Sequence, residues 1–111
     1  MTALNERKLL GHMASPQEIV RIWEMGLRGD VFEEPLNQAV FNFIVEYWLE
    51  NEMRLAPTKA VLEYEFPGVQ IEENVEESTI WLVEALQRRY ATNKLQNIIR
   101  TGHRLGWQLS A

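Results

Sequence analysis

From Pro35 to Asn51 the chain reads PLNQAVFNFIVEYWLEN, with Leu36, Val40, Phe41, Phe43, Ile44, Val45, Tyr47, Trp48 and Leu49 apolar. Wound at 3.6 residues per turn, these positions cover most of a helix's circumference. Val, Ile, Phe, Tyr and Trp also suit strands. A buried strand, however, is only ~4–8 residues long, and a proline fits the first turn of a helix. The segment therefore predicts a long buried helix, and the rest of the chain has to cover it.

Helix starts and stops on either side supply the cover. Asn5 is placed to cap a short first helix carrying Leu9, Leu10 and Met13, since Asn accepts from free first-turn amides. Ser15-Pro16 is a stronger start, with Glu18 three residues after Ser15 completing a capping box. That helix carries Ile19, Val20, Ile22 and Trp23 and should stop at Gly26, a residue at ease in the left-handed region. Gly29-Asp30-Val31-Phe32 predicts a turn, or one helical turn, that plugs Val31 and Phe32 into the core. Thr58 should cap a short fourth helix with Val61, Leu62 and Tyr64 facing inward, ended by Phe66-Pro67-Gly68. Val69 to Glu77 reads as a polar, acidic loop.

From about Glu77 the pattern is helical again to about His103, a rod on the order of 40 Å long at 1.5 Å per residue. Ile80, Val83, Leu86 and Tyr90 form one stripe, which should face the core. Ala91, Leu95, Ile98, Gly102 and Leu105 form a second, at spacings of four, three, four and three. This heptad-like stripe lies beyond what one small domain needs and should pack against another helix. The expected fold is thus all-α: a single domain spanning 1–111, a compact orthogonal bundle of about five to six helices with a long C-terminal helix.

With 111 residues the chain can hide roughly two-thirds of its unfolded surface, enough for one core. There is no cysteine, so neither disulfides nor thiolate metal sites hold the fold, which fits a reducing compartment. Met1 to His12 mixes Asn5, Glu6, Arg7 and Lys8 with leucines, unlike a signal peptide. No apolar run approaches the ~18 residues of a membrane span. These features point to a cytoplasmic protein. Charge is divided along the chain: residues 1–84 hold all 16 acidic residues against 6 basic ones, and residues 85–111 hold 5 basic residues and no acid. An acidic body is a poor binder of phosphate backbones, whereas a cationic helix end suits the helix dipole.

A search for chemistry returns little. None of Gly11, Gly26, Gly29, Gly68, Gly102 and Gly106 is followed by lysine, so no Walker loop can cradle a nucleotide phosphate. His12 and His103 are far apart and no HExxH pattern occurs, which leaves zinc without converging ligands. Ser15, His12 and Asp30 supply a nucleophilic triad's residue types without a Gly-x-Ser-x-Gly elbow. Glu72, Glu73, Glu76 and Glu77 lack the Gly-centred loop that calcium requires. The expectation is a non-enzyme with no cofactor and no metal. Of the four tryptophans, Trp48 reads as core, while Trp81 and Trp107 are candidate interface anchors. On surplus apolar surface the candidate partner interface is Trp81, Leu82, Tyr90, Leu95 and Ile98, on the last helix.

A run of short motifs resembles a known family. Glu6-Arg7-Lys8-Leu9-Leu10-Gly11, Ser15-Pro16-Gln17-Glu18, Gly29-Asp30-Val31-Phe32 and Pro35-Leu36-Asn37-Gln38-Ala39-Val40-Phe41 together resemble the N-terminal domain of DnaB-type replicative helicases. Asn37 or Gln38 stands where the family commonly has histidine. Pro57-Thr58 fits the family's next helix, and Leu82-Val83 with Leu86, running on to Ile98-Ile99-Arg100, resembles its late helix. The likeness covers about residues 6–104. One departure is that Val69 to Glu77 replaces the glycine pair and extra helix with which the family builds a hairpin for pairing protomers.

The resemblance implies a non-catalytic protein-interaction and oligomerisation domain in DNA replication. Such a collar pairs protomers as a dimer or part of a hexamer and binds primase or a helicase loader in the primosome. The ATP-dependent motor of such a helicase lies in another domain. The resemblance leaves open a collar domain cut from a longer helicase or a stand-alone relative, and Gly106 to Ala111 contains no clear linker. A second reading is a small helical nucleic-acid binder using Arg88, Arg89, Lys94, Arg100 and Arg104. Those residues scatter around a helix, and an acidic body would repel DNA.

Overall fold

The apolar run led by Pro35 folds as the helix its pattern demands, and four further α-helices assemble with it. A computed structural model describes the backbone of residues 2–110 and the side chains of residues 3–99. In chain order the helices are α1 (Thr2–His12), α2 (Pro16–Glu24), α3 (Pro35–Glu50), α4 (Lys59–Glu65) and α5 (Thr79–Ser110), with a 3-10 turn at Gly29–Val31 between α2 and α3. No strand occurs among the described residues. The fold is an all-α bundle whose long final helix packs against α1, α2 and the 3-10 turn.

One core serves these elements. Leu9, Leu10 and Met13 of α1, Ile19 and Ile22 of α2, Phe32 after the turn, Val40, Phe41, Ile44 and Trp48 of α3, Leu62 of α4 and Leu82, Val83 and Leu86 of α5 are all buried in it. On α3 the buried positions recur at helical spacing on one face; Leu36 and Leu49, flanking that stripe, remain exposed. The helix is therefore a wall of the core and not a rod covered on every side. Aromatic contacts tie the core to its edges: Trp23 lies 6.3 Å from Trp48, Phe32 4.9 Å from Phe41, and Phe43 meets Phe66 edge-on at 5.5 Å.

The local starts and stops explain most of the boundaries, with three corrections. Helix α1 begins at Thr2, so Asn5 lies inside it and caps nothing; once the chain folds, tertiary packing of Glu6, Leu9 and Leu10 holds the helix. Ser15 does precede α2, but its side chain makes no cap bond. Its hydroxyl donates to Gln17 Oε1 at 2.9 Å, while the Glu18 carboxylate accepts from Thr79 Oγ1 of α5 at 2.6 Å. The predicted capping box is thus replaced by a tertiary hydrogen bond between two helix starts. Tyr64, the further inward candidate, is exposed on α4, where Leu62 is buried and Val61 partly so.

Two C-termini close by the same device. After α2, the N–H of Gly26 donates to Trp23 O at 3.0 Å and that of Leu27 to Ile22 O at 3.4 Å, a Schellman motif with Gly26 at φ +84°. After α3, Glu52 donates to Leu49 O at 3.3 Å and Met53 to Trp48 O at 2.8 Å. Here the left-handed position falls on Glu52 at φ 59°, and Met53 follows at φ 62°. The Thr58 cap forms as its sequence implies, accepting from Val61 N at 3.3 Å.

The Val69–Glu77 stretch has no regular structure, yet it is not a solvated loop throughout. Val69, Ile71 and Val75 pack against the core, and Glu72 N donates to Arg7 O of α1 at 3.4 Å. A side chain at Gly11 would collide with the Glu72 carbonyl, so the absence of a Cβ there lets the loop lie along α1.

Candidate interaction surface

Helix α5 sorts its residues into two faces. Thr79, Leu82, Val83 and Leu86 point into the core, at the spacing of one helical stripe. The first predicted stripe is therefore off by a small rotation: Ile80 is exposed and Leu82 takes the inward place. Leu82, chosen as an interface residue, is 0% exposed and unavailable to a partner. An Ile80-Trp81-Leu82-Val83 run offers a helix several apolar faces, and only contact with α1 and α2 selects among them.

The other chosen residues divide. Tyr90 lies half-buried against its own domain, donating its hydroxyl to Asp30 Oδ2 at 3.2 Å, with Lys94 Nζ 5.7 Å above its ring. Trp81, Leu95 and Ile98 face outward at 47%, 57% and 60% exposure. Ile80 and Ile99 add to the same exposed surface, and sequence reasoning had missed both: Ile80 was given to the core, and Ile99 fell outside either stripe. Ala91 of the second predicted stripe is exposed as well; Gly102, Leu105, His103 and Trp107 lie outside the described side chains. Large apolar side chains exposed together along one helix mark an association surface more often than isolated ones do.

The inner edge of α5 is held by polar links. Arg89 and Asn93 both reach Glu33, just before α3, Asn93 through Nδ2 to Oε1 at 2.7 Å. Gln87 Nε2 donates to Met25 O at the end of α2 at 3.0 Å. Glu33 connects in turn to a buried carboxylate. Its backbone N–H donates to Glu6 Oε2 at 2.7 Å, that of Glu34 donates to Glu6 Oε1 at 3.3 Å, and Asn37 Nδ2 donates to the same oxygen at 3.0 Å. Glu6 is 0% exposed and acts as a cap borrowed from α1, set at the N-terminus of α3 where the helix dipole favours a negative charge.

Of the residues proposed for nucleic acid, Arg89 is committed to Glu33 and Lys94 sits over Tyr90. Arg88 is exposed, and Arg100 and Arg104 lie outside the described side chains. Three described cations on three different sides of one helix do not make a row along a groove.

The chemistry-bearing residues are occupied separately. His12 Nε2 lies 2.7 Å from Glu77 O, Ser15 engages Gln17 and Asp30 accepts from Tyr90, so the three do not assemble into a triad. The acidic run is partly neutralised: Lys8 Nζ meets Glu77 Oε2 at 2.7 Å, and Lys59 Nζ meets Glu73 Oε1 at 2.7 Å. The Lys8 hydrogen bond, helped by Glu77's own backbone N–H, holds the Glu77 carboxyl below its ordinary value. The Lys59 hydrogen bond does the same for Glu73, and the Lys59 ammonium is raised in return. Among the described residues no group of three or more His, Asp or Glu side chains is arranged to hold a metal ion. A groove of about 350 Å³ opens between the end of α1, α4 and the 69–77 loop, walled by Leu10, Ala14, Pro57, Leu62, Ile71 and Val75. Its polar lining includes His12, Glu72, Asn74 and the Lys59–Glu73 ion pair. Among the described residues, no helix is long and apolar enough to cross a membrane. Comparison with protein-family models, with curated proteins and with solved structures finds no match for this chain.

Proposed function

We propose that the chain is a non-catalytic protein-interaction domain of the DnaB-type helicase collar kind, which pairs with other copies and offers a surface to primase or a helicase loader. The observation that carries the interaction part is the outward apolar face of α5, with Trp81, Leu95 and Ile98 all exposed. Such a face is expensive to leave in water and gains from burial at roughly 25 cal/mol per Å². The helicase part rests on the resemblance; within the chain its first motif meets its last through the Glu6 carboxylate, which accepts from Asn37 and from the two amides ahead of Pro35. A cytoplasmic location belongs to the same reading.

Light scattering across a range of concentrations tests it. The chain should be a dimer or larger, and Leu95→Asp with Ile98→Asp should return it to monomer while leaving it folded, read as a retained helical circular dichroism spectrum, since both side chains are exposed. A strict monomer at high concentration would remove self-association from the proposal. Binding of a DnaB-partner primase, measured by calorimetry, tests the helicase part separately. Tight salt-sensitive DNA binding would instead favour the basic-helix reading, because phosphate neutralisation gives affinity that falls steeply with salt.

A further inference from the structure

We infer that two copies of this chain pair through the outer face of α5 in antiparallel orientation, about a two-fold axis that sets Glu84 of each copy opposite Arg88 of the other. The inference deepens the self-association reading above and rests on it. Opposite the core stripe, the outer face carries Trp81, Glu84, Arg88, Ala91, Leu95 and Ile98, all exposed. Their spacing alternates three, four, three, four and three, the seam of a two-helix coiled-coil contact. Neither Glu84 nor Arg88 has an ion-pair partner among the described residues.

Orientation follows from what the seam would bring together. A parallel, in-register pair sets Glu84 against Glu84, Arg88 against Arg88 and Trp81 against Trp81, so two like-charge contacts sit in the seam. An antiparallel pair that matches Glu84 with Arg88 does so twice, once on each side of the axis, as a self-complementary two-fold contact must. The same register lays Trp81 over Ala91, a large side chain on a small one, again on both sides. A parallel pair would also run the two segments 85–111, basic without an acid, alongside one another, a repulsion that the antiparallel arrangement avoids by carrying them in opposite directions.

The natural absence of cysteine allows a direct test in the full chain. Trp81→Cys and Ala91→Cys are made as separate variants and oxidised alone and mixed. The expected result is a covalent dimer on mixing and none from either variant alone, because each of the two positions lies about ten residues, or about 15 Å, along the seam from its counterpart in the other copy. Self-crosslinking of Ala91→Cys alone would indicate parallel pairing and overturn the inference. A second experiment leaves the anchor intact: Glu84→Arg and Arg88→Glu singly should each weaken the dimer about tenfold by light scattering, and the double variant should restore it. Singles that dimerise as the original chain does would overturn this register while leaving self-association in place. An original chain that is monomeric at every concentration would overturn both.

Discussion

At the scale of single residues, two positions carry more than their surroundings. Glu52 sits at φ 59° where the Schellman geometry after α3 favours glycine. A side chain in the left-handed region costs roughly 1–2 kcal/mol, part of which glycine returns through its looser unfolded state. Glu52→Gly should therefore stabilise the fold by about 0.5–1 kcal/mol, read as a higher urea midpoint with an unchanged slope. Glu6 is the opposite case. Its carboxylate accepts from Glu33 N, Glu34 N and Asn37 Nδ2 while fully buried. Glu6→Ala strands these donors beside a cavity and should cost about 2–4 kcal/mol by urea denaturation. An effect under a few tenths of a kcal/mol would mean that water replaces the carboxylate at little cost.

At the scale of elements, the ordering of the 69–77 loop is the main event that local signals did not announce. Its acidic residues suggest a solvated connection, but Ile71 and Val75 turn inward and Gly11 lets the backbone come close to α1. The Lys8–Glu77 pair ties the loop's end to the same helix. Because the folded Glu77 carboxyl titrates below its ordinary value of 4.5, the pair's contribution is present above that pH and fades as pH falls through the lowered folded value. Lys8→Ala should thus lower the melting temperature near neutral pH, and its effect should shrink as the pH is taken down through the lowered folded value of Glu77. An equal loss across that pH range would assign the effect to lost packing of the lysine stem along α1.

At the scale of the whole molecule, the extents of 57 × 27 × 26 Å reflect one helix longer than the body it packs on. The first turns of α5 are bound into the core by Leu82, Val83 and Leu86, and further links to the body run through Gln87, Arg89, Tyr90 and Asn93. At Leu95, Ile98 and Ile99 the helix exposes apolar side chains that its own domain leaves uncovered. Local stability should decline along the helix in the same order, since opening is easiest where buried apolar contacts are few. Amide exchange should be slowest around Leu82 to Leu86. Residues 91–99 should exchange faster, and they should slow with rising protein concentration if a second copy covers them.

Local signals are enough to specify the all-α class, the starts at Pro16, Pro35 and Thr58, the stop at Gly26 and the inward plug of Phe32, because each depends on the backbone freedom or hydrogen bonding of a few neighbouring residues. The second stripe was legible too, as periodic apolar residues with no evident cover. What the tertiary structure alone decided is which face of an ambiguous helix turns inward. Ile80-Trp81-Leu82-Val83 offers several apolar faces, and packing against α1 and α2 chose Leu82 and Val83 for the core, leaving Ile80 and Trp81 outside. The same holds for the polar partners. Glu18 left its own helix start for Thr79, and Glu6 crossed from α1 to cap α3. A carboxylate accepts from whichever donor folding brings within reach, and here the donors were 61 and 31 residues away along the chain, beyond any pattern of local spacing.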